Sequence, residues 1–318
     1  GGGDPKVLYR SSVNGIDWSL PIDICPDGLV KDGFTTQYEY RQIKTLHYNE
    51  DTVVAITVKR SDNNLFLYAN LISGDGTMRW GDWYYLPHLT EVRWTAAWNM
   101  GGVAFSPNGF AIIGGAKFNE GHRKYLTSIA IGKFGTFTVD QQIPINEQVL
   151  CSIRDLGKTV VFTKHPSGSI CFRTTDDAGK TFSEAKTCVI PNSSAITSFS
   201  VLRNDVGVYH MLASLSDGTC VRGVSNDKIN WSSETADVGQ NGVSKVAIVY
   251  TGDKKYLRAF TTNDKKVIVG KPSTGLVGGT NIQIANTALT VASSNIKDVA
   301  LFSDNEKMTI MFGNDYNN

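Results

Sequence analysis

The stretch Thr175-Asp176-Asp177-Ala178-Gly179-Lys180-Thr181-Phe182 places turn-forming carboxylates, a glycine and a closing aromatic ring in one short segment. An Asp side chain accepts hydrogen bonds from the backbone N–H groups of a tight turn, Gly supplies positive φ, and the aromatic drops back into an apolar interior. Three further segments repeat the pattern: Ser12-Val13-Asn14-Gly15-Ile16-Asp17-Trp18, Ser73-Gly74-Asp75-Gly76-Thr77-Met78-Arg79-Trp80 and Ser225-Asn226-Asp227-Lys228-Ile229-Asn230-Trp231. Recurrence of this kind marks an architecture of stacked supersecondary units. Asn14, Trp18, Asp75, Trp80, Asp177, Gly179, Phe182, Asp227 and Trp231 are accordingly assigned to turn structure.

Between the turns lie short runs rich in Val, Ile, Tyr, Phe and Thr, at Thr52–Val58, Leu65–Leu71, Gly109–Gly114, Thr159–Thr163, Val206–Ala213 and Lys266–Gly270. Gly, Asn, Asp and Ser clusters bound each run, which is the punctuation of strands and hairpins. No stretch of helical length keeps apolar residues at i, i+3, i+4 and i+7 without such a turn interrupting it. The chain reads as all-β.

Trp18, Trp80, Phe137, Phe182 and Trp231 recur at roughly 45 to 60 residues, the length of one four-stranded propeller blade. Five units follow, near 40–87, 98–144, 149–191, 196–238 and 243–289. The ends complement one another. Asp298–Phe302 and Met308–Phe312 read as inner strands without an outer hairpin, and Lys6–Arg10 and Trp18–Ile24 as an outer hairpin without inner strands. Together they complete a six-bladed β-propeller closed by strands from both termini, with no free sheet edge at the seam. One domain over residues 6–318 is expected, with residues 1–5 as a flexible lead. A double β-sandwich has the same strand content but gives no reason for complementary halves at the two ends.

Turns of the form Ser/Thr-x-Asp-x-Gly-x-Thr-Trp/Phe are the Asp-box, or BNR, signature. Thr175–Phe182 resembles it with conservative exchanges at the first and last positions, and the other three segments resemble degenerate copies. The resemblance is to the sialidase-like superfamily, which includes sialidases, bacteriophage endosialidases, sortilin-type receptors and several lectins. It implies that the boxes are structural and lie on the face away from the ligand. Function then has to be sought on the opposite face.

With 31 Lys and Arg against 30 Asp and Glu, the 318-residue chain carries no global field, so wholesale attraction to nucleic acid or to an anionic membrane is not expected. No apolar run approaches the length of a membrane span, and the opening Gly1-Gly2-Gly3-Asp4-Pro5 does not read as a signal peptide. Cys25, Cys151, Cys171, Cys188 and Cys220 contain no C-x-x-C pair, and the odd count favours reduced, mostly buried thiols. Cys171 and Cys188 flank one aromatic turn, and whether they are joined stays open at this level. His47, His88, His122, His165 and His210 show no metal-type spacing, so no metal and no cofactor is expected.

If the boxes close the third-to-fourth strand turns, the opposite mouth is built by the connections between units and the second-to-third strand turns. The long ones are early: Pro26–Glu39, His88–Thr95 and Ala116–Lys124, against short hairpins at Lys164–Gly168, Ser216–Thr219 and Asn263–Lys266. Long polar loops on a rigid scaffold are where binding concentrates. From them, Tyr38, Tyr40, Arg41, Arg93, Trp94, Trp98, His122 and Arg123 are the candidate ligand-binding residues, since aromatic faces stack on sugars and guanidinium forks grip carboxylates.

The sialidase resemblance also implies three arginines around a substrate carboxylate, the first in a Phe/Tyr-Arg-Ile-Pro sequence. Tyr40-Arg41-Gln42-Ile43 matches its first two residues and lacks Ile-Pro, while Arg154, Arg203 and Arg258 do not converge with Arg41 in the expected register. Arg41, Glu39, Glu91 and Glu120 are the candidates for catalysis, but a glycosidase needs two carboxylates at a set separation. The sequence therefore favours a non-catalytic recognition module for a surface glycan, including an acidic one, or for a protein receptor. Such a module suits a phage tail or adhesin and an extracellular or virion-associated place, with other subunits of an assembly as further partners. The alternatives are a sialidase-like retaining hydrolase and an architectural propeller in an oligomer.

Overall fold

The computed structural model describes residues 6–23, 38–48, 51–60, 65–73, 77, 84–85, 99–106, 109–117, 124–131, 137–144, 147–177, 179–276, 281–286, 294–303 and 307–316. The chain opens with β1 (Lys6–Ser12) and β2 (Ile22–Asp23). Then come β3 (Tyr38–Tyr48), β4 (Asp51–Arg60), β5 (Leu65–Ile72) and β6 (Tyr84–Tyr85). β7 (Asn99–Ser106), β8 (Gly109–Lys117), β9 (Lys124–Ile131) and β10 (Phe137–Pro144) follow. The next group is β11 (Gln148–Asp155), β12 (Lys158–Lys164), β13 (Ile170–Thr175) and β14 (Lys186–Thr187). After it stand β15 (Ile196–Arg203), β16 (Tyr209–Leu215), β17 (Cys220–Ser225) and β18 (Glu234–Thr235). The last strands are β19 (Val243–Tyr250), β20 (Tyr256–Thr262), β21 (Lys266–Gly270), β22 (Asn281–Asn286), β23 (Ser294–Ser303) and β24 (Met308–Tyr316). Among the described residues, helix is limited to the 3-10 turn Ser193–Ala195, and no helix is long and apolar enough to cross a membrane.

These strands form six four-stranded antiparallel sheets. Five are simple meanders of consecutive strands, and the sixth runs β2-β1-β24-β23. In it Lys6 stands opposite Asn314 and Ser12 opposite Met308, so the two ends of the sequence share a sheet. Two strands are shorter than their runs of β-forming residues predict. β16 starts at Tyr209 because Val206 and Gly207 belong to a turn closed by Gly207 N–H on Asn204 O. Within Trp18–Ile24 only Ile22 and Asp23 are in a strand, the aromatic turn having absorbed Trp18, and Ile24 lies outside the described residues.

The first strand of each meander lies beside the first strand of the next, β3 by β7, β7 by β11, β11 by β15 and β15 by β19, then β19 by β23 and β23 by β3. Such an edge exposes unpaired backbone groups that need partners. Neighbouring side chains supply them. Val246 and Ile248 N–H donate to Ser198 Oγ and Ser200 Oγ at 3.2 and 3.1 Å, and Ile43 N–H donates to Asp298 Oδ2 at 2.9 Å.

Apolar cores lie between successive sheets. Phe162 and Phe172 of one meander meet Phe199 and Trp231 of the next, with ring centroids 5.6 Å apart for Phe162–Phe199 and 6.4 Å for Phe162–Trp231. Trp18 packs in the same way into a core shared by β20, β21, β23 and β24.

Every inner strand pairs with its neighbour through a β-bulge near its start. The register shifts at Tyr40/Gln42, Met100/Gly102, Val149/Cys151, Ile196/Ser198, Val243/Lys245 and Ile296/Val299. A bulge adds one residue, bends the strand and re-aims a side chain. Arg41, Gly101, Leu150, Thr197 and Ser244 are the extra residues in the first five strands.

Candidate functional site

The aromatic turns at Asn14, Asp177 and Asp227 sit at one end of the sheets. Asp227 Oδ1 accepts from Ile229 N–H and Asn230 N–H, each at 2.8 Å, and Ser225 Oγ donates to it at 3.0 Å. Asn14 Oδ1 accepts from Ile16 and Asp17 N–H at 2.9 Å, and Asp177 Oδ1 from Thr181 N–H at 2.9 Å. Hydrogen bonds from Asn230 and then Ile229 hold the Asp227 carboxyl well below the usual carboxylate range. Trp231 is 6% exposed, and its indole N–H donates to Lys228 O at 2.8 Å. The same turn is fastened to the preceding sheet, Val189 N–H donating to Ile229 O and Trp231 N–H to Val189 O. Asp75 and Trp80 lie outside the described residues, and Phe182 is half-buried.

A buried charge cluster sits at this end. Asp155, at the end of β11, accepts from Tyr209 OH at 2.6 Å and from Lys228 Nζ at 2.9 Å, while Arg203 Nε lies 3.1 Å from its other oxygen. Lys228 has φ +67°, the position where Gly15 stands in the first aromatic turn. Burial pulls its ammonium down, but hydrogen bonds to Tyr209 and Asp155 outweigh that and raise its pKa. The cluster rivets β11 to the sheet that follows.

At the opposite end, the β16–β17 turn, the connection from β18 to β19 and the β20–β21 turn enclose a groove of about 930 Å³. Asp217, Asp237, Asp264, Gln240 and Asn241 line it, and all five are exposed. Its floor depends on two glycines. A Cβ on Gly218, whose φ is +84°, would stand 2.7 Å from the Gly242 Cα. Val243 N–H donates to Gly218 O at 3.0 Å, locking the turn to the connection. Hydrogen bonds from Thr219 keep Asp217 below its ordinary pKa, and those from Lys266 and Thr262 do the same for Asp264. Such a groove offers many acceptors to hydroxyl groups and, among the described residues that line it, no aromatic platform. Sequence reasoning passed over it because its hairpins are short; the paired Gly218 and Gly242 were the available signal.

Of the sequence-derived ligand residues, Tyr38, Tyr40 and Arg41 are in β3, with Glu39, at this same end. Arg41 is the extra residue of the β3 bulge. Arg93, Trp94, Trp98, His122, Arg123, Glu91 and Glu120 lie outside the described residues. Arg154 and Arg203 stand at the other end of their strands, beside Asp155. Arg258 is buried in β20, where it donates to Leu276 O and Asn281 Oδ1 at 2.9 and 3.1 Å. By strand position, Arg154 and Arg203 lie at the end away from Arg41.

Cys151, Cys171, Cys188 and Cys220 are free thiols. Cys171 stands opposite Thr187, so Cys188, the next residue, points to the other side and enters the core. Burial pushes the Cys188 and Cys220 thiols up to about 12. Cys25 lies outside the described residues. No group of three or more His, Cys, Asp or Glu side chains placed to hold a metal occurs among the described residues. Asp177 and Asp253 are engaged in their own turns, Asp253 with Thr251 and Lys255.

No family model and no curated protein matches the sequence. Solved structures do. The α-L-arabinofuranosidase Arb93A from Fusarium graminearum, in complex with an iminosugar inhibitor, has 9% identity and TM-score 0.59 over 99% of this chain and 98% of its own. An arginine-to-alanine mutant of AofleA from Arthrobotrys oligospora has 11% identity and TM-score 0.57, covering 93% and 80%. The Aleuria aurantia lectin with α-methyl-L-fucoside has 11% identity and TM-score 0.54, covering 86% and 88%. At such identities the likeness speaks to architecture alone, and that architecture is an all-β propeller.

Proposed function

We propose that residues 6–318 form a single six-bladed Asp-box propeller, its ring closed by the sheet that joins both termini. On this reading the chain recognises carbohydrate without catalysis, at the face opposite the aromatic turns. The observation that carries it is the groove over Gly218 and Gly242, where Asp217, Asp237, Asp264, Gln240 and Asn241 present oxygen and amide groups suited to sugar hydroxyls. Propeller neighbours whose structures hold a fucoside or an iminosugar inhibitor support the choice of ligand class. Tyr38, Tyr40 and Arg41, at the start of β3, extend the same face, where arginine suits an acidic sugar. Attachment to a larger extracellular or virion-associated assembly is the setting that fits such a module.

A glycan array probed with the wild type and with Asn241→Ala tests the reading. Binding that weakens in the variant at unchanged thermal stability supports it, and a blank array removes it. The Tyr40-Arg41 pair at the start of β3 is the ground for one second reading, a sialidase-like retaining hydrolase. Turnover of a fluorogenic sialoside that vanishes in Arg41→Ala would establish that reading instead.

A further inference from the structure

The inner strands hold an uneven share of the charge. β3, β7, β11, β15, β19 and β23 carry Arg41, Lys44, Arg154, Arg203, Lys245 and Lys297 against only Glu39, Asp155 and Asp298. The whole chain is nearly balanced, at net +1, so positive charge is concentrated at the centre and the outer strands and loops are net negative.

Five of these strands line a central cavity of about 380 Å³. Its charged lining residues are Lys44, Arg154 and Arg203, with no carboxylate among the described residues that line it. The nearby carboxylates are engaged elsewhere: Asp298 and Asp155 stand behind the wall at 7% and 8% side-chain exposure, and Asp205 accepts from Tyr250 OH and pairs with Lys254. Asp298 accepts from Ile43 and Val299 N–H, and Asp155 from Tyr209 and Lys228. Lys44 and Arg203 keep unspent capacity. Lys44 Nζ is 3.9 Å from Asp298 and makes no hydrogen bond to a described residue. Arg203 Nε faces Asp155 at 3.1 Å without hydrogen-bond alignment. A narrow cavity lined by one sign of charge focuses its field and concentrates counter-ions, and guanidinium forks match tetrahedral oxyanions.

We propose that the central cavity binds a phosphate- or sulfate-type oxyanion at its end beside the aromatic turns. Arg154 and Arg203 are the direct contacts, and Lys44, farther along the wall, adds attraction at longer range. This site is at the other end of the strands from the groove, and it does not depend on the glycan reading.

The test is calorimetric titration of inorganic phosphate into the full chain, with sodium chloride at matched ionic strength as reference. Saturable one-to-one binding is expected. Arg154→Gln should weaken it about tenfold or more, the loss of one charge-assisted contact, and Lys44→Met should weaken it less. Lys186→Gln, an exposed lysine on β14, should leave it unchanged. Arg154 is an exposed side chain and Asp155 keeps Tyr209, Lys228 and Arg203, so the fold survives that variant; matched thermal unfolding checks this. Sugar phosphates and sulfates form a second arm. Binding as tight as that of the free ion makes the ligand a terminal group on a larger molecule, and binding of inorganic phosphate alone makes it a free ion. No heat beyond the chloride reference, or equal affinity in Arg154→Gln, overturns the proposal.

Discussion

Trp231→Ala tests the packing logic of the molecule most directly. The ring is 6% exposed and meets Phe162 edge-on, in a core built by two successive sheets. Truncating a buried aromatic costs about 3–5 kcal/mol, because a cavity is added to the lost transfer energy. Against a stability of about 5–15 kcal/mol for an ordinary domain, that is a large fraction. Trp231→Phe separates the contributions. It keeps a ring in the core but removes the donor to Lys228 O, so about 1–2 kcal/mol is expected, a hydrogen bond plus some lost contact. Trp18, only half-buried, should cost less than Trp231 when replaced by Ala. Urea unfolding followed by far-ultraviolet circular dichroism, compared at unchanged m, provides the measurement. If Trp231→Ala shifts stability by less than about 1 kcal/mol, or Trp18→Ala costs more, the aromatic turns are not wedges between sheets and the reasoning fails.

Other expectations follow from the same contacts. Asp155→Ala leaves Lys228 and Arg203 without their counter-charge and should cost about 3 kcal/mol by thermal unfolding, the lower part of the range for a broken buried pair because both cations keep some solvent. Burial and then the Arg222 charge depress the His210 pKa below 6.5. The unfolded chain therefore takes up the proton first, and stability present above pH 6.5 is lost as pH falls below it. His210→Gln should flatten that part of the profile, and an identical slope would remove His210 as its source. Gly218→Ala meets backbone at 2.7 Å and should cost well over 1 kcal/mol. Gly157→Ala shares a positive φ with nothing within 4 Å, and should cost only about 1 kcal/mol.

Much of the architecture was legible because its signals are local. The turns at Asn14, Asp177 and Asp227 carry their own hydrogen-bonding residues, and the complementary strands at the two ends anticipated the β1–β24 pairing. The bulges were not legible. One inserted residue, such as Thr197 or Ser244, does not disturb a short alternating pattern enough to be seen, and it stands out only when the inner strands are compared. The groove was missed because Asp217, Asp237 and Asp264 come from three separate connections that meet only through the Gly218–Gly242 approach. The charge imbalance at the centre was present in the composition, but only the strand positions sort Lys44, Arg154 and Arg203 from the surface lysines. The early-loop candidates Arg93, Trp94, Trp98, His122 and Arg123 remain expectations.

The sheet shared by both ends carries a kinetic consequence. Lys6 and Asn314 are about 300 residues apart in sequence. Bringing them together costs about 3 kcal/mol more chain entropy than closing a loop of about ten residues. The meanders repay their local closures as they form, whereas this sheet has only the short β1–β2 pairing until β24 arrives. During synthesis β1 must therefore wait, unpartnered along that edge, until the strands up to β24 have left the ribosome.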